Sequence, residues 1–171
     1  LVVGLISRKL IEKRIISKKF EELDSIKKQT SFTYEEEQKE PLIWILIDEA
    51  HELLAKEGKT PATDALVQLL REGRQPGISL VLATQQPGDI HKDVLTQSDI
   101  VISHRLTSKI DIAALNKMMQ NYLLADIQKY MNELPDLKGS AIVLDDNSER
   151  IYPIRVHPKR SWHGGETPSI I

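Results

Sequence analysis

Three short runs of the chain are apolar without alternation: LIWILI (42–47), ISLVLAT (78–84) and DIVISHRL (99–106). Unbroken apolar runs of this length predict strands buried on both faces, as in a parallel sheet. The segments between them follow a helical period. Residues 1–28 enter it at once, with Val2, Leu5, Ile6, Leu10, Ile11 and Ile15 apolar and basic residues interspersed. No capping residue precedes that run, which fits a chain cut from something longer near or inside a helix. QTSFTYEEEQKEP (29–41) is polar, lacks an apolar period and reads as a surface connection.

After the first strand, EAHELLAKEG (49–58) predicts a helix stopping near Gly58. Thr60 and Pro61 signal the start of another, ATDALVQLLRE (62–72), broken at Gly73. HKDVLTQS (91–98) predicts a short helix, and two more are expected over 108–119 and 123–134. SAIVLDDNSERIYPIRV (140–156) reads as a hairpin around an Asp-Asp-Asn turn, and 157–171 as a tail. Strands alternating with helices give an α/β fold, a parallel sheet flanked by helices with a C-terminal hairpin.

Composition narrows the class. The 171 residues are 40% hydrophobic, enough for one domain or part of one. Cysteine is absent, which excludes a disulfide scaffold or a Cys-ligated zinc site and favours a reducing compartment. With neither a membrane-length apolar run nor a signal peptide, the expected location is the cytoplasm. The net charge of −2 exerts no overall pull on nucleic acid, so DNA binding would need a local patch or an assembled ring.

Ligands of parallel α/β sheets gather at the carboxyl ends of strands. Those ends carry Asp48-Glu49, Thr84-Gln85-Gln86 and His104-Arg105. An apolar strand running into Asp-Glu is the Walker B pattern. One carboxylate (Asp48) would hold Mg²⁺ through water, and the second (Glu49) would orient and polarise the water that attacks a γ-phosphate. The competing explanation is that both acids open the next helix, where its dipole favours them. Gln85 offers an amide able to bond both phosphate and water, or it is a turn residue ahead of Pro87. Gln86 is the weaker candidate, since alternation points it the other way. Arg71 and Arg74 sit at a helix end, where cations satisfy the dipole. Arg74, beyond Gly73 on a projecting loop, is the better candidate for an arginine finger.

Two apparent motifs fail. EGKT (57–60) ends like a phosphate loop, but the required first glycine is Leu53 and the segment follows a helix rather than a strand. Lys59 and Thr60 are therefore a turn and a cap. HELLA lacks the second histidine of a zinc motif, so His51 and Glu52 are no metal pair.

The order WILIDEAHELL, LLREGRQPGISLVLATQQP, DIVISHRLTSKID and the tail HGGETPS resembles the HerA-FtsK superfamily of ring-forming ATPases, nearest its archaeal HerA-like branch. The resemblance is best over 42–112. It implies a RecA-like core, ATP and Mg²⁺ as cofactors, hexameric homo-oligomers and movement of double-stranded DNA, with a nuclease as a candidate partner. It implies that Asp48 and Glu49 are the Walker B pair, Gln85 the sensor and Arg74 a finger acting in trans, with Arg105 either near nucleotide or a solvated charge at a strand end. Arg71, at the helix end, is a further nucleotide-binding candidate. Residues 1–156 would be the C-terminal part of the ATPase domain. The family's phosphate loop is absent from these residues, so the chain is expected to be inactive alone. Two rivals are a DEAH-type helicase fragment and a non-catalytic oligomerisation or DNA-binding module using Lys159, Arg160 and Trp162. REGRQPG before the second strand, and LATQQP at its end, speak against the DEAH-type order.

Overall fold

A computed structural model describes residues 1–30, 40–118 and 124–161. Most of the 29–41 connection, Trp162 and the HGGETPS segment lie outside the described residues. The described residues divide into two compact units, one within 1–98 and 109–118, the other within 99–108 and 124–161.

In the first unit, α1 (Val2–Thr30), β1 (Ile43–Ile47), α2 (Thr63–Glu72), β2 (Ile78–Leu82), α3 (Lys92–Gln97) and α4 (Lys109–Met118) follow in chain order, with β3 (Ile100–His104) of the second unit between the last two. Strands β1 and β2 pair in parallel, Ile43 opposite Ile78 and Ile47 opposite Leu82. The expected parallel sheet and flanking helices are present. Ile43, Ile45, Ile47, Leu80 and Leu82 pack on a core of Ile11, Leu54, Leu66, Leu69, Ile78 and Val94. The strands are not buried on both faces as their apolar runs suggested. Trp44 is 67% and Leu46 72% exposed, and Ser79 and Val81 share their outward phase.

Helix α1 also departs from the expected pattern. Val2, Leu5, Ile6 and Ile15 are exposed, while Gly4, Ser7, Ile11 and Arg14 form the buried face. Small residues let the helix come close to the start of α2. A Cβ on Gly4 would lie 2.6 Å from the Pro61 carbonyl oxygen. Arg14, only 2% exposed, reaches both strand entrances. Its Nε donates to the Pro76 carbonyl at 2.8 Å and its Nη1 to the Glu40 carbonyl at 2.7 Å, with Glu21 Oε1 at 3.1 Å.

Replacing Arg14 with Met leaves those carbonyls without donors and is expected to lower stability by about 3 kcal/mol. A urea unfolding midpoint equal to wild type would contradict this. Burial alone would raise the Glu21 carboxyl, but hydrogen bonds from Arg14 and Ser17 outweigh it and hold the carboxyl below its ordinary value. The folded state thus binds that proton less readily than the unfolded chain. The contribution is complete above the ordinary glutamate value and lost as pH falls through the depressed one. In Arg14→Met that acid-side loss should shrink.

The predicted helix 49–58 does not form. Glu49 adopts a left-handed backbone, φ 47°. Ala50 N donates to Ala83 O at 2.8 Å, which prolongs the strand pairing. Only a short 3₁₀ turn, Ala50–Glu52, follows. Beyond it Lys56 N bonds Asp89 O at 2.7 Å and His91 N bonds Leu54 O at 2.7 Å, so this backbone is satisfied by a neighbouring loop rather than by its own helix. Thr60 is not the cap its position suggested: the N-cap of α2 is Ala62, which makes no side-chain capping bond, and Thr60 Oγ1, two residues earlier, accepts from Ala62 N at 3.2 Å in the turn leading to Thr63.

The second unit holds β3, α5 (Leu124–Glu133), β4 (Ser140–Asp145) and β5 (Arg150–Arg155). The hairpin forms as expected, β4 antiparallel to β5, its turn held by Asp145 Oδ1 accepting from Asn147 N at 3.0 Å. β3 is not a third parallel strand. It pairs antiparallel with β4, Ile100 opposite Asp145 and His104 opposite Ala141. Its Ile100 and Ile102 are exposed, so the apolar run marks an edge strand with one open face. The unit's buried residues include Ile127 and Met131 on one face of α5, Leu134 just beyond its end, and Ala141, Ile142 and Leu144 of β4. Among the described residues no helix is long and apolar enough to cross a membrane.

Candidate nucleotide-hydrolysis site

Parallel pairing sends the C-terminal ends of β1 and β2 to the same edge, which brings Asp48-Glu49 beside Thr84-Gln85. Gln85 Nε2 donates to Glu49 Oε1 at 2.6 Å, a bond between residues 36 apart in sequence. The left-handed backbone at Glu49, uncommon for a residue with a Cβ, turns the carboxylate toward that amide. Asp48 is exposed and accepts from Glu49 N at 2.9 Å through Oδ1. Its other oxygen makes no hydrogen bond among the described residues. Gln86 is exposed, and its backbone N–H donates to Thr84 Oγ1 at 3.0 Å.

His51 enters the site although the sequence pattern singled it out only as a failed zinc motif. Its Nδ1 lies 3.0 Å from Thr84 Oγ1 and 3.5 Å from Glu49 Oε2. The only sequence signal was its place three residues after Asp48, since Thr84 is 33 residues away in the chain.

The two helix-end arginines have different surroundings. Arg71 Nη2 sits 2.7 Å from Oδ2 of buried Asp93, tying the end of α2 to the first turn of α3. Arg74 is exposed and its side chain has no partner among the described residues. Two glycines shape its loop. A Cβ at Gly73 would lie 2.5 Å from Leu69 O, and Gly77 turns the chain into β2 at φ 82°. Arg105 belongs to the second unit, 3.5 Å from Asp136 Oδ1. His104 Nδ1 there lies 3.0 Å from Ser140 O.

These residues fit one half of a nucleotide site. An exposed monodentate carboxylate suits a magnesium ion that keeps its water, and among the described residues no group of three or more acidic or histidine side chains makes a closed metal cage. No phosphate-cradling loop joins them among the described residues. Lys59 is paired with Asp64 at 2.9 Å, and Thr60 Oγ1 donates to Leu53 O at 2.9 Å, so EGKT is a turn ahead of α2 and its side chains are engaged within the fold.

A parallel strand pair flanked by helices in one unit and an antiparallel hairpin in the other make a mixed α/β fold, and the solved structures that resemble it are ATPases. The chain belongs to the Helicase HerA-like C-terminal family, which matches residues 32–156. It is 28% identical over 181 residues to the DNA double-strand break repair helicase HerA of Pyrococcus furiosus, covering 95% of this chain and 31% of that protein. The protein of the same name from Sulfurisphaera tokodaii is 26% identical over 136 residues, 75% of this chain and 26% of the relative. The chain thus spans about a third or less of the relatives' length. Among solved structures, the genome packaging NTPase of Sulfolobus turreted icosahedral virus 2 in complex with AMP superposes with a TM-score of 0.52 at 26% identity, over 64% of this chain and 50% of that one. The DNA-packaging ATPase of Sulfolobus turreted icosahedral virus shares the fold, with a TM-score of 0.55.

Proposed function

We propose that residues 1–156 are the C-terminal part of the ATPase domain of a ring-forming, ATP-driven translocase on double-stranded DNA, with 157–171 as a tail. The observation that carries the reading is the 2.6 Å bond between Gln85 and Glu49 at the shared end of two parallel strands, in a chain of the HerA-like family.

In this reading Glu49 orients and polarises the attacking water, and Gln85 fixes that carboxylate and bonds the same water or the γ-phosphate. Asp48 holds magnesium through its waters, and the ion, when bound, neutralises charge on the phosphates. Arg74 reaches outward to the nucleotide of a neighbouring subunit, as its exposed, unpartnered guanidinium permits. Residues outside these 171 hold the phosphates. Arg71 supports the site from its ion pair with Asp93.

Hydrolysis by the complete protein should rise when linear duplex DNA is added, because a translocase couples turnover to its track. ATP turnover that ignores duplex DNA at low salt would remove the DNA part of the reading. No magnesium-dependent turnover with or without DNA would leave a non-catalytic module. Gln85→Ala should lower kcat with little change in KM, since the amide acts on the hydrolytic carboxylate. A rise in KM alone would assign Gln85 to ground-state binding.

A further inference from the structure

We infer that His51 is a positioning residue for the Glu49 carboxylate, acting through an Nδ1–H group that bridges Thr84 and Glu49. The inference rests on the hydrolytic reading of Glu49 given above.

Glu49 has one oxygen bound by Gln85 and one, Oε2, that is buried without a hydrogen-bond partner. A buried carboxylate oxygen facing no donor is costly. The polar atom that the fold places against it is His51 Nδ1 at 3.5 Å, on a side chain only 12% exposed. The same nitrogen is 3.0 Å from Thr84 Oγ1. Thr84 is the residue before Gln85, and its Oγ1 also accepts from Gln86 N. His51 therefore joins the β1 end that carries the base to the β2 end that carries the amide.

Electrostatics choose the tautomer. A lone pair on Nδ1 would confront the buried Oε2, whereas a proton there lies between Thr84 Oγ1 and that oxygen. On the ring's other side Nε2 is 3.6 Å from Glu52 Oε1, but the Glu52 side chain is 76% exposed and can swing into water. Glu49 Oε2 is buried while Gln85 holds the other oxygen. The proton belongs on Nδ1.

Held on Oε1 by Gln85 and steered on Oε2 by His51, the carboxylate keeps one orientation despite its position in a left-handed turn. Loss of His51 frees it to rotate away from the amide. Misplacement of a reacting group on this scale costs about 10- to 100-fold in rate, without changing how substrate binds.

The test uses the complete protein with His51→Ala, His51→Asn, His51→Gln and Glu49→Gln, reading kcat and KM for ATP, and a crystal structure of His51→Ala. An Asn amide N–H falls near the Nδ1 position and a Gln amide near Nε2. The expected result is a kcat loss of about 10- to 100-fold in His51→Ala at unchanged KM, recovery in His51→Asn well above His51→Gln, and a Glu49 carboxylate displaced from Gln85 in the crystal. His51→Ala turning over like wild type while Glu49→Gln is inactive would overturn the inference and leave the hydrolytic reading standing. Equal recovery by Asn and Gln would overturn it too. If Glu49→Gln itself turns over normally the hydrolytic reading fails, and the crystal structure still decides whether His51 positions Glu49, an unmoved carboxylate counting against it. Should His51→Ala fail to fold, the Asn-against-Gln comparison carries the decision.

Discussion

ATP turnover in a Glu49→Gln variant of the complete protein is expected to fall by about 10²- to 10⁴-fold, the span associated with losing a positioned general base. Nucleotide binding should persist, because Glu49 is assigned to water rather than to phosphate. The substitution is nearly isosteric. The Gln85 amide can still donate to an amide oxygen at this position, so the 2.6 Å contact between the strand ends has a surviving partner. What disappears is the negative charge that polarises water. The outcome to look for is a kcat collapse with the affinity for a fluorescent ATP analogue unchanged. Loss of binding in parallel with turnover would move Glu49 to a phosphate or metal role and take away the water assignment.

Arg74→Ala should be at least as severe, about 10³- to 10⁵-fold in kcat, if the guanidinium stabilises charge on the transferring phosphoryl group. Two features support the size of the effect. The side chain is exposed and has no partner among the described residues, so no internal ion pair competes for it. Its loop leaves α2 at Gly73, where a Cβ would lie 2.5 Å from Leu69 O, and turns into β2 at Gly77 with φ 82°, so the close-packed backbone fixes where the arginine emerges. The same exposure means that the fold should not notice the change, and an unaltered melting temperature is part of the prediction. Arg71→Ala makes the contrast. It strips the cation from buried Asp93, so stability should fall along with any loss of activity. An Arg74→Ala protein with wild-type turnover would remove the finger assignment.

The acid pair and Gln85 were legible in the sequence because parallel pairing dictates where strand ends meet, and the two apolar runs marked the strands clearly. Gly73 likewise ends α2 as its place predicts, whereas the N-cap falls on Ala62, two residues beyond Thr60. Pairing direction was not legible for β3, since an apolar run records burial tendency and not the direction of its neighbour. The open faces around Trp44 and Ile102 show that even burial is only partly encoded there. In α1 the apolar period misled, because close approach to α2 selected Gly4 and Ser7 and a charged Arg14 for the inner face. The helix after Glu49 was an extrapolation from composition. A left-handed residue and backbone bonds to the 83 and 89 carbonyls override that local preference. His51 escaped notice because the hydrogen bond that ties it into the site goes to Thr84, 33 residues on.

The central claim is a divided site, in which Glu49 serves the nucleotide of its own subunit and Arg74 that of the next. Mixed rings test it most directly. Glu49→Gln and Arg74→Ala subunits are each co-expressed alone and then together, and magnesium-dependent ATP turnover is measured per ring. Each variant alone should be inactive, while the mixture should regain turnover, because some interfaces then unite an intact Glu49 with an intact Arg74 from the neighbour. A co-assembled mixture as inactive as its parents would contradict the claim, placing both residues in service of one subunit's nucleotide.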